Sequence, residues 1–185
     1  NGLYAQVSIP GIQAIDLHTG EKLWFLNGTF LNFGQTMFFP SYNVNGVWNY
    51  LWSVTGSNYT AYSPNDGSFQ FMFHHVPSGT RIWGPNGEIL IYQMNANAGW
   101  LALWNSTLAG LTNSAIGTPS YGSWGSQTHG KTLNVSKANC YTFNVTIPKG
   151  LQYSTSFFAP ILKVLPDRVV SMYFNHTHVR VWGLS

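Results

Sequence analysis

The stretch from Ala14 to Trp24, Ala-Ile-Asp-Leu-His-Thr-Gly-Glu-Lys-Leu-Trp, limits the folds open to this chain more than any other. Side chains alternate up to Asp16, a turn follows, and a second run ends in an aromatic. Alternate residues of a strand share a face, so the run places Ala14 on one face together with the side chains two positions away. Asp16 and Thr19 can hydrogen-bond the turn backbone, Gly20 can take a positive φ, and Trp24 supplies a large apolar plug in the return strand. The expected local structure is a β-hairpin with a defined apolar face.

Composition supports a β-rich chain. Aromatics make up 16% and charged residues 7%, against an ordinary charged share of about 25%. Disorder requires low hydrophobicity and high charge, and exposed helix faces require many Lys, Glu and Arg, so both a disordered chain and a helical bundle are excluded. Asn, Ser, Thr and Gly must supply solubility, which is the habit of extracellular β proteins. Eight basic and five acidic residues leave a net charge of +3. The bases Lys22, Arg81, Lys131, Lys137, Lys149, Lys163, Arg168 and Arg180 form no run, which argues against a nucleic-acid partner. The single cysteine, Cys140, excludes an internal disulfide and reads as a small buried hydrophobe. No apolar run reaches the ~20 residues of a membrane-spanning helix, and no signal peptide is visible at Asn1.

Strand-like runs recur between turn signals along the chain: Tyr4–Ile9, Ile12–Asp16, Lys22–Leu26, Thr36–Phe39, Val47–Val54, Ser57–Tyr62 and Ser68–His74. Arg81–Trp83, Glu88–Met94, Trp100–Trp104, Asn139–Ile147, Ser156–Lys163, Arg168–Asn175 and His178–Trp182 complete the series. Residues 106–130 are rich in Ser, Thr, Gly and Pro and read as a long loop; Leu101–Leu111 is the sole helical candidate. A repeat runs through these strands. Ala61-Tyr-Ser63-Pro-Asn-Asp66-Gly67-x-x-x-Phe71 restates the frame of Ala14–Trp24, Ala102 begins a third copy, and Val179–Trp182 begins a fourth. The first two alanines are 47 residues apart and the next two 41, matching four-stranded propeller blades of about 40–50 residues.

The pattern Ala14-x-Asp16-x-x-Thr19-Gly20-x-x-x-Trp24 resembles the signature repeat of the pyrroloquinoline-quinone-type (PQQ-like) β-propeller family. In that family the alanine and tryptophan dock one blade on the next. The resemblance implies an all-β, propeller-like array of about four blades in a single domain spanning residues 1–185, fewer blades than the family usually has. A two-sheet β-sandwich is the alternative, since it too is built from short alternating strands.

Members that bind the quinone use calcium, several carboxylates and often a vicinal disulfide. This chain has no Cys-Cys pair, and its acids are Asp16, Glu21, Asp66, Glu88 and Asp167. Calcium takes 6–8 oxygen ligands, so the expectation is no cofactor. For metals the candidates are His74-His75, which on a strand would point to opposite faces, and His176-Asn-His178, which would share one. No third ligand accompanies either pair, and no Gly-x-Ser-x-Gly elbow marks a hydrolase.

Six sequons are present, at Asn27, Asn58, Asn105, Asn134, Asn144 and Asn175, where chance predicts about three. N-linked glycans would supply hydration that the few charges do not. Tyr121 and Trp124, inside the polar loop, are the expected exposed stacking platform for a sugar or a partner side chain. The function expected is a non-catalytic structural or recognition domain of a secreted, N-glycosylated, extracellular or cell-surface protein. It would act by binding other chains or copies of itself; a carbohydrate-binding module is the alternative, and a quinone- or metal-dependent enzyme is a third.

Overall fold

A computed structural model describes residues 11–40, 45–111, 124, 128–151, 161–174 and 177–185. The expected strand Tyr4–Ile9 and most of Ser156–Lys163 lie outside them. The described chain is all-β, with fourteen strands in four sheets and one short helix.

The first sheet is the hairpin of β1 (Gly11–Ile15) and β2 (Lys22–Asn27). The second begins as an antiparallel meander of β3 (Phe33–Pro40), β4 (Asn45–Thr55), β5 (Asn58–Tyr62) and β6 (Phe69–His74). The third is another meander, β7 (Thr80–Trp83), β8 (Ile89–Asn95), β9 (Trp100–Asn105) and β11 (Tyr141–Thr146). Between β9 and β11 the chain departs through helix α1 (Ser106–Leu111) and returns along the second sheet as β10 (Thr132–Asn134), parallel to β6. The fourth sheet holds β12 (Lys163–Leu165), β13 (Arg168–Phe174) and β14 (Val179–Leu184). The described strands thus form four sheets, with β10 rejoining the second after β9 of the third.

Alternation decides how the sheets stack. One face of the second sheet carries Met37, Phe39, Tyr50, Trp52, Ala61, Phe71 and Phe73, all buried. They form a single core with Ile89, Ile91 and Trp104 of the third sheet. The opposite face of the third sheet, with Met94 and Leu101, packs with Val169, Val164, Trp182 and Leu184 of the fourth. Rings within the first core lie 5.0–6.2 Å apart, mostly edge-to-face, the spacing at which aromatic pairs add to simple burial. Polar groups in it are matched: Trp52 Nε1–H donates to Gln35 Oε1 at 2.8 Å, and Gln35 Nε2–H donates onward to Gly87 O at 2.8 Å, tying the second sheet to the turn between β7 and β8.

Two expectations need correction. Residues 106–130 are not simply a loop, because the stretch opens with α1 and leads into β10. The third repeat is misplaced by one residue: Ala102 shares its face with Trp104, which points back at the second sheet, whereas Leu101 packs toward the fourth. A one-residue slip turns every side chain of a strand to the other face.

Candidate functional site

The Ala14–Trp24 stretch forms a joint between two sheets. In the first turn Gly20 N–H donates to Asp16 O and Asp16 N–H donates to Glu21 O; in the second, Gly67 N–H donates to Ser63 O and Ser63 N–H donates to Ser68 O. The two turns are therefore hydrogen-bonded alike, although Ser63 stands for Asp16 and Asp66 for Thr19. Gly20 and Gly67 have φ of +75° and +71°, the left-handed region that glycine enters without a Cβ penalty. Ala14 lies directly across from Trp24, as Ala61 does from Phe71. The Trp24 ring leaves the first sheet and lies on the second turn: a Cβ at Gly67 would come within 2.8 Å of Trp24 Cε3. Trp24 Nε1–H donates to Pro64 O at 3.2 Å. All five motif positions, Ala14, Asp16, Thr19, Gly20 and Trp24, thus serve the hairpin or its joint. Phe71, opposite Ala61, is fully buried and lies 6.0 Å from the Trp124 ring.

The turn carboxylates carry an acid dependence. Asp16 Oδ1 accepts from Thr19 N–H at 3.0 Å and His18 N–H at 2.7 Å, and these donors hold its carboxyl below the ordinary aspartate value. Asp66 is lowered by the Ser63 hydroxyl and by the backbone and hydroxyl of Ser68. A lowered folded value gives stability that is present above the unfolded value, near 3.8, and lost as pH falls through the folded one. Carboxyl resonances of both residues are expected to titrate below 3.8 in the folded protein, and Asn at either position should remove the acid loosening of its own turn. Titration at the ordinary value would show that these turns do not hold their carboxylates.

Trp124 is not an exposed platform. It is 2% exposed and packs between Phe39, Phe71 and Gly110, its Nε1–H donating to Tyr50 Oη at 2.8 Å. Burial of that hydroxyl pushes the Tyr50 pKa up to about 12. The Trp124 ring therefore plugs the core of the second sheet. Tyr121 lies outside the described residues.

The asparagines of the sequons divide by strand position. Asn27, Asn134 and Asn144 are exposed, and they stand on β2, β10 and β11, each an outermost strand of its sheet. Asn58 and Asn105 are half-buried and stand on β5 and β9, which have partners on both sides. Asn58 Oδ1 is wholly enclosed and has no hydrogen-bond partner among the described residues. Asn105 Oδ1 accepts from Thr107 N–H at 2.8 Å, while the Thr107 hydroxyl turns inward to Met37 Sδ, 3.7 Å away. Asn134 is arranged differently: its Oδ1 accepts from both the backbone N–H and the hydroxyl of Ser136, at 3.1 and 2.8 Å. Asn175 lies outside the described residues.

His74 and His75 do not point to opposite faces. His75 has φ of +66°, so alternation ends there and the two rings lie 3.7 Å apart. Among the described residues no group of three His, Cys, Asp or Glu side chains is placed to hold a metal ion. Cys140 is buried, as its composition reading implies. A groove of about 610 Å³ opens between the third and fourth sheets, lined by Tyr92, Leu101, Phe143 and Val169, with the Asp167–Arg168 ion pair at its mouth. No helix among the described residues is long and apolar enough to cross a membrane. Comparison with protein-family models, curated proteins and solved structures finds no match to this chain.

Proposed function

We propose that this chain is a non-catalytic, propeller-like blade array of a secreted, N-glycosylated extracellular or cell-surface protein, and that it works by protein–protein association. One observation carries the reading: among the described residues, the outer faces of the first and fourth sheets carry exposed apolar side chains. On the first sheet, Trp24 faces inward and leaves Leu23 60% and Phe25 52% exposed on the outer face, beside Ile15. On the fourth, Trp182 and Leu184 face inward and leave Val179 61% and Val181 62% exposed. Isolated apolar side chains are common on surfaces, but apolar sets on flat outer sheet faces are what interfaces are made of.

The two faces differ, so contact between copies would be head-to-tail, giving rings when the rotation closes and fibres when it does not. Sedimentation of the purified chain is expected to show concentration-dependent association, and Leu23→Lys together with Val181→Lys should return it to monomers. A monomer at all concentrations, with no partner taken up on these faces, would overturn the reading.

A further inference from the structure

We propose that Asn27, Asn134 and Asn144 are the occupied glycan sites of the described residues, that Asn58 and Asn105 stay bare, and that the sugars on Asn134 and Asn144 cap the edges of the second and third sheets. The inference rests on the secreted, glycosylated reading above and sharpens it.

An outermost strand presents unpaired N–H and C=O groups to any other chain, and natural proteins block such edges with charge, proline or a covering element. This chain has few charges to spend there. On β11, Tyr141–Thr146, and on β10, Thr132–Asn134, no residue is charged. Both nevertheless carry an exposed sequon asparagine, as does β2. A glycan is bulky and hydrated, and one at Asn134 or Asn144 would hold a second strand away from the edge.

Local chemistry separates the two groups. A sugar on Nδ2 must reach solvent once the chain has folded. Exposed positions meet that need; Asn58 and Asn105 are half-buried, the Asn58 side-chain oxygen being wholly enclosed, and do not. At Asn144 there is also room for the first sugar. The residue directly across is Ala102, and the groove beside it, about 420 Å³, is walled by Trp100 and Tyr141 with Gln93 and Ser136 between. Uncharged aromatic and amide groups suit a sugar ring, which offers one apolar face and a rim of hydroxyls.

The test is site-resolved glycopeptide mass spectrometry on the protein secreted from a eukaryotic host, followed by enzymatic removal of sugar from the folded protein. Sugar at Asn27, Asn134 and Asn144, with Asn58 and Asn105 unmodified, is the expected pattern. Removal should then speed the rise of light scattering and of thioflavin-T fluorescence several-fold. Sugar at Asn58 or Asn105 with the three edge sites bare overturns the inference and leaves the glycoprotein reading standing. Five bare sites overturn both. Correct occupancy with no change on removal overturns the edge-capping role.

Discussion

Trp124→Ala is expected to cost about 3–5 kcal/mol of folding stability, the range for emptying an aromatic from a core. The ring is enclosed by Phe39, Phe71 and the backbone at Gly110, so little can collapse into the space. The Tyr50 hydroxyl also loses the indole N–H that it accepts from, and stays buried. For a chain of this size each kcal/mol moves the melting temperature by roughly 2–4 °C, so calorimetry should show a fall on the order of 10 °C. Trp124→Phe keeps most of the volume and loses only the hydrogen bond, about 1–2 kcal/mol. Were Trp124→Ala to leave melting unchanged while abolishing binding to a saccharide, the residue would be a platform after all and its placement in the core wrong.

Trp124 shows where reading the sequence reached its limit. Its neighbours are Ser, Gly and Gln, the company of a surface loop, and nothing local marks it as a plug. Its partner Tyr50 lies 74 positions earlier, and only the return of the chain along β6 as the three-residue β10 brings them together. Strands with sustained alternation, such as β4, β6 and β13, were legible because a buried face imposes a period of two. The turn at Pro64–Gly67 was legible because its glycine must take a positive φ. Register across strands was not: Ala102 sits in a run, Trp-Leu-Ala-Leu-Trp, that is apolar on both faces. Alternation says nothing about which face such a strand turns to which neighbour. The same holds for the sequons, whose chemistry is local but whose place on an edge or interior strand depends on pairings far apart in the chain. His75 departed from strand alternation through one backbone angle that no residue preference announces.

The Ala14–Trp24 motif makes the sharpest claim, that one side chain fastens the first sheet to the rest. A two-stranded hairpin is marginal on its own in water, so β1 and β2 must draw stability from what they touch. Trp24 gives them an aromatic face on Gly67 and a hydrogen bond to Pro64. Trp24→Ala removes both, and for a half-buried indole the loss is about 2–3 kcal/mol. The cost should fall on the hairpin and leave the second and third sheets intact, because their shared core contains no residue of β1 or β2. Amide exchange across Gly11–Asn27 is then expected to accelerate roughly 30- to 150-fold, at tenfold per 1.4 kcal/mol, with β4 and β9 unchanged. Gly67→Ala attacks the same joint from the other side, since its Cβ would press on the indole and its φ of +71° disfavours any side chain. It should therefore loosen the same amides. If both variants leave exchange in the hairpin unaltered, the motif is a turn signature only and does not hold one sheet to the next. If both release it, the outer face bearing Leu23 and Phe25 loses its rigid support, and association through that face should weaken with it.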